Sequence, residues 1–152
     1  MFERIANTPN DFTLTMLRLV FGVVVFAHGA QKMLGWFGGR GFSGTIAFYG
    51  QLGFSSALAL LVIAVEFFGG LALIVGLLGR IAALANICKL VAVVWHITGR
   101  NGFFMNWTGE QTGEGIEYHL LAIALGLAIL IKGSGAFSID RLLSKAGAPQ
   151  KH

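Results

Sequence analysis

Leu17-Arg18-Leu19-Val20-Phe21-Gly22-Val23-Val24-Val25-Phe26-Ala27-His28-Gly29-Ala30-Gln31-Lys32 decides how the chain is read. It is an apolar helix with an arginine early, a histidine late and a lysine at its end. At about 100° per residue, Arg18, Phe21, Val25, His28 and Lys32 fall within roughly 80° of one another, so the polar groups share one stripe. An ionised group facing hydrocarbon costs several kcal/mol even on lenient scales, roughly 2.5–3.5 at a helix centre. The stripe must therefore face protein, and the rest of the chain must supply its partners.

Composition agrees with a membrane setting. The 152 residues are 55% hydrophobic and 12% charged, with mean hydropathy +0.74, against about 25% charged in soluble domains. The 13 Phe and 22 Gly suit lipid contact and close helix packing. A net charge of +4 raises the question of nucleic acid, but the basic residues are dispersed without a run or aromatic interleaving, so none is expected. Cys88 is the one cysteine, which excludes an intramolecular disulfide and a C-x-x-C redox pair. Arg4 before a hydrophobic run resembles a signal peptide. The run is too long and contains Arg18, so it reads as a retained first span.

The pattern predicts spans at about 12–34, 56–78, 81–98 and 116–132, in a single integral membrane domain covering 1–152. The fold class is an all-α membrane protein, a four-helix transmembrane bundle. Pro9-Asn10-Asp11 or Thr13 marks the first helix start. Gly35 to Phe42 is glycine-rich and aromatic, an interfacial or re-entrant loop leading to a short surface helix at Gly44 to Leu52 in the first outer loop. Gly79-Arg80 reads as the only break between spans two and three, giving a tight antiparallel hairpin. Ser138 to Leu143 forms a short amphipathic tail. Arg4, Arg80, Lys132, Arg141, Lys145 and Lys151 fall on one side of such a bundle, and Lys32, Arg40 and Arg100 on the other. Both termini are then cytoplasmic, in a bacterial inner membrane.

Glu66 lies about ten residues into the second span, near mid-membrane, beside Gly69 and Gly70. Asn86, Lys89 and His96 share one face of the third span. Depth pairs Glu66 with Lys89 or Arg18, and Glu117 with Lys32, so Arg18, Glu66 and Lys89 are read as structural ion pairs. Three cations against two carboxylates leave a positive site for an anion, a headgroup or a polarised carbonyl. A quinone fits, because its carbonyls need donors while its tail needs lipid. Its binding residues would be His28, Lys32, Trp36, His96 and Glu117, with His28 and His96 as proton relays. Haem is disfavoured by only four histidines and no C-x-x-C-H. A metal site is not expected either, since Glu117 and His119 lie about 160° apart on the wheel.

These residues resemble the DoxX family of small four-span bacterial membrane proteins. The likeness rests on Arg18-Leu19 with Gly22, His28-Gly29-x-x-Lys32 into Gly35-Trp36-Phe37-Gly38-Gly39, Glu66 with Gly69-Gly70, Leu78-Gly79-Arg80, Glu117, and Gly133-x-Gly135-x-x-Ser138-x-Asp140. The resemblance implies a redox-associated role, since the family is named for a subunit associated with a thiosulfate:quinone oxidoreductase. Related proteins are linked to oxidative-stress complexes. The expectation is an inner-membrane subunit working with an oxidoreductase. The alternatives are a non-enzymatic membrane scaffold or assembly factor presenting the outer loops Trp36–Phe42 and Phe103–Trp107 to redox partners, and a small-solute transporter; a homo-oligomer is also open.

Overall fold

A computed structural model describes residues 6–146. Helix α1 (Phe12–Met33) begins where the Asp11 side chain accepts from the backbone N–H groups of Thr13 and Leu14, and it runs 22 residues. A 3-10 turn (Trp36–Gly38) and helix α2 (Gly41–Gln51) follow. The surface helix thus starts three residues before the expected Gly44. Helix α3 (Ser56–Val75) is capped by Ser55, α4 spans Gly79–His96, α5 spans Glu117–Lys132, and α6 (Ile139–Ala146) ends the described chain. The described residues contain no strand.

Three of these helices, α1, α3 and α4, are long and apolar enough to cross a membrane. Helix α5, at 16 residues, rises only about 24 Å. It packs as the fourth member all the same: α1 contacts α3 and α5, and α4 contacts α3 and α5. Phe21, Val25, Leu73, Ala83, Leu90, Ala122 and Ile129 fill the centre. Val20, Val23, Leu61, Phe68, Leu84, Val91, Leu121 and Ile131 point outward and exposed. In a helical membrane protein that outer surface is the one lipid covers.

The hairpin between α3 and α4 is not broken at Gly79-Arg80 as the sequence suggested. The break lies at Gly76–Leu78, with Gly76 at φ 71° and Leu78 at φ 51°, and α4 already begins at Gly79. A leucine in the left-handed region is strained. Here the buried Asp140 carboxylate holds it, accepting from Leu78 N–H at 2.7 Å and Gly79 N–H at 3.0 Å. The residue that closes the hairpin comes from the far end of the chain.

Glycines set the vertical offset of α1 against α3. A Cβ on Gly29 would stand 2.6 Å from the Glu66 carbonyl carbon, one on Gly70 would stand 2.6 Å from Phe26 Cα, and one on Gly22 would stand 2.9 Å from Leu73 Cβ. These contacts place the last turn of α1 level with the middle of α3. The first two turns of α3 continue past the end of α1, where α2 packs against both helices. Thr45 Oγ1 ties α2 down by donating to the Lys32 carbonyl at 3.3 Å.

Candidate functional site

Because α1 ends level with the middle of α3, Lys32 arrives beside Glu66. Its Nζ lies 2.6 Å from Glu66 Oε2, a close ion contact rather than an aligned hydrogen bond. Lys89 donates to the other carboxylate oxygen, Oε1, at 2.9 Å. One carboxylate therefore joins α1, α3 and α4. The Glu66 side chain is 5% exposed, that of Lys89 11% and that of Lys32 24%. Two ammonium groups on one carboxylate leave the cluster formally at +1, and Lys89 keeps N–H donors that the carboxylate does not use.

Glu66 and Lys89 meet as the depths of their helices suggested, but the other expected pairs do not form. Glu117 is not the partner of Lys32; its Oε2 accepts from Met105 N–H at 3.1 Å and organises the loop between α4 and α5. Arg18 pairs with no carboxylate in the triad. It is fully buried at the other end of the bundle, donating to the carbonyls of Leu73, Ile74 (2.6 Å), Ser134 (2.8 Å) and Phe137 (2.6 Å). A guanidinium with five donors suits the unpaired carbonyls at a helix C-terminus, where the dipole also favours a cation. Arg80 does the same for α5, donating to Leu130 and Ile131 at 2.8 and 2.9 Å.

Sequence reasoning missed Asp140 in this inner knot. Besides Leu78 and Gly79, it accepts from Ser134 Oγ at 2.6 Å, and Gly135 N–H donates to Thr8 Oγ1 at 2.7 Å. The signal was present: Gly133-x-Gly135-x-x-Ser138-x-Asp140 is that knot, with both glycines at positive φ.

Beside the triad an apolar groove of about 380 Å³ opens between α3 and α4. Leu58, Leu61, Val62, Val65, Ala92 and Val93 form much of its wall. Its polar features are Lys89, His96 at the end of α4, Cys88, and Tyr49 contributed by α2. Burial and the negative charge of Glu66 push the Tyr49 phenol above its ordinary value.

The residues expected to bind a ligand divide between two flanks. Of them His96 lines the groove, while Lys32, His28, Trp36 and Glu117 do not; Lys89, expected as an ion-pair residue, lines it as well. Lys32 reaches it only through Glu66. His28 is exposed on α1 with its ring 5.9 Å from that of Tyr118 on α5, and Tyr118 stacks edge-on to buried His119 at 5.2 Å. Trp36 is exposed and meets Phe26 edge-on at 6.5 Å. Trp95, Phe103, Phe104 and Trp107 are also exposed near the ends of α4 and α5, as residues of a membrane interface are.

The fold and buried charges define an all-α membrane protein with an ionic cluster beside an apolar groove. Residues 13–99, from α1 through α4, match the family model named DoxX, and the chain belongs to the DoxX family. It is 35% identical over 142 residues to "Inner membrane protein YqjF" of Escherichia coli (strain K12), covering 89% of this chain and 95% of that one. It is 25% identical over 139 residues to "Putative oxidoreductase CatD" of Bacillus subtilis (strain 168), covering 91% of this chain and 92% of that one. No solved structure matches.

Proposed function

We propose that this protein is a redox-associated membrane subunit that holds a quinone in the groove between α3 and α4. The observation that carries the proposal is the groove itself: an apolar slot of about 380 Å³ in which Lys89, already fixed by Glu66, is an unsaturated donor. A quinone carbonyl accepts from such a donor, and the isoprenoid tail takes the apolar slot and the lipid beyond it. His96 lines the same groove at the loop end of α4, where an imidazole can pass protons between ring and water. Lys32 and Glu66 act through Lys89 by setting its position and the charge around it. An oxidoreductase relative by name agrees with a redox role.

In this reading α5 is the fourth span, making up for its length with the Ile116 turn before it and the Gly133 turn after it. Arg80, Lys132, Arg141 and Lys145 then lie with both termini on the cytoplasmic side of a bacterial inner membrane, and Lys32, Arg40 and Arg100 on the other. A second reading, a scaffold for redox proteins, is favoured by the loop between α4 and α5. That loop is held by Asn106 and Glu114 through side-chain bonds of 2.8–3.1 Å, yet presents Trp107 at 84% exposure. A fixed loop with an exposed tryptophan suits a contact surface.

Cys88 tests the groove. It lines it and is exposed, so saturating short-chain ubiquinone or menaquinone should slow its alkylation by N-ethylmaleimide at least threefold in nanodiscs. Unchanged alkylation with both quinones would remove the proposal. If Trp107→Ala then lost a co-purifying redox protein, the scaffold reading would take its place.

A further inference from the structure

Helix α6 presents a face that nothing in the described protein covers. Ile139, Leu142, Leu143 and Ala146 fall within about 100° on the wheel, and Arg141 and Lys145 occupy an adjoining arc. Leu142 is 68% exposed and Lys145 is exposed. The helix is nevertheless fixed rather than trailing. Asp140, one residue into it, is buried on the N-terminus of α4, its own N–H donates to Gly76 at 2.9 Å, and Ser138 Oγ accepts from Arg141 N–H at 3.2 Å. The apolar face is therefore held in one direction.

That direction is continuous with the lipid-facing surface of the bundle. Phe137, 72% exposed just before α6, meets Phe12 of α1 edge-on at 6.3 Å, and Phe12 and Met16 are themselves exposed. Charge adds a second condition. The acid of α6, Asp140, is withdrawn into the protein, so its exposed polar side offers Lys145, and Lys132 is exposed at the same end of the bundle; Arg141 is half-buried, with Nη1 donating to the Thr8 carbonyl at 3.4 Å and its other N–H groups left for a phosphate.

We propose that α6 is an interfacial membrane-docking helix, with Phe137, Ile139 and Leu142 entering the acyl boundary and Arg141, Lys145 and Lys132 binding the phosphates of anionic phospholipids. An amphipathic segment this short gains only a modest amount from apolar burial, and cations next to an anionic surface supply the rest. Asp140 then has a double effect: it closes the α3–α4 hairpin and orients the helix that reads the lipid. This holds whether or not a quinone occupies the groove.

The test uses the full chain with Cys88→Ser and a nitroxide at Leu142→Cys, in nanodiscs of phosphatidylcholine alone or with one third phosphatidylglycerol. In the mixed discs the label should be reached by oxygen and shielded from a water-soluble nickel chelate. Nickel access should rise at least twofold in phosphatidylcholine alone, and equally in the mixed discs after Arg141→Gln with Lys145→Gln. High nickel access in both compositions would overturn the proposal, because the face would then lie in water. Equal shielding in both would overturn the anionic recognition. Dipolar broadening between labels would overturn it in favour of a second copy of the chain.

Discussion

Neutralising Glu66 should damage this protein more than neutralising either lysine, and the geometry sets the order. Lys89→Met leaves Lys32 at 2.6 Å from the carboxylate, a balanced pair, and removes one charge-assisted hydrogen bond, about 1.5–3 kcal/mol. Glu66→Gln leaves two ammonium groups facing each other, one of them 11% exposed. Removing one partner of a buried ion pair costs about 3–5 kcal/mol, and the second lysine places Glu66→Gln at the upper end. The double variant should be less destabilised than Glu66→Gln alone, because Lys32, 24% exposed on the last turn of α1, can turn its head outward. Unfolding in mixed detergent micelles against the mole fraction of dodecyl sulfate gives all three values, and the cycle isolates the coupling. If Glu66→Gln cost no more than Lys89→Met, the carboxylate would not be the bridge between the lysines and the reasoning would fail.

Other consequences are independent of that pair. Gly29→Ala puts a methyl group against the backbone of Glu66 and Phe67; separating α1 from α3 should cost about 1–3 kcal/mol, read in the same unfolding assay, and a neutral result would deny the close approach. Asp140→Ala strands the N–H groups of Leu78 and Gly79, about 1–3 kcal/mol for each, and should raise hydrogen exchange at the α3–α4 turn before anywhere else. Tyr49 should titrate above the usual phenol value near 10 in absorbance at 295 nm, and Glu66→Gln should lower it, since Glu66 is one of the two causes of the shift. The sign for stability follows: below the unfolded value Tyr49 contributes fully, and its contribution is lost as pH rises through the higher folded value.

The sequence made the helices and the Glu66–Lys89 contact legible, because hydrophobic length fixes spans and equal depth brings opposite charges together. Lys32 was misassigned to Glu117 for a physical reason. Depth arithmetic starts every outer helix end at one level, whereas Gly22, Gly29 and Gly70 set α1 so that its end meets the middle of α3. Arg18 looked like half of an ion pair, since a sequence shows charges but not the unpaired carbonyls at helix ends. Those carbonyls, at Leu73, Ile74, Ser134 and Phe137, are what it binds. Their place near the end of α1 makes Trp36 and His28 look ligand-binding in the sequence. The groove lies instead between α3 and α4, and the polar residues that line it are Lys89, His96, Cys88 and Tyr49.

The central claim is that a quinone occupies this groove with its ring at Lys89, and native mass spectrometry of the protein released from its own membrane tests it most directly. Wild type should carry one quinone mass per chain, and Lys89→Met, which leaves the Lys32–Glu66 contact in place, should lose most of it while remaining folded. A wild-type spectrum without a quinone adduct, or an adduct retained undiminished by Lys89→Met, would contradict the account.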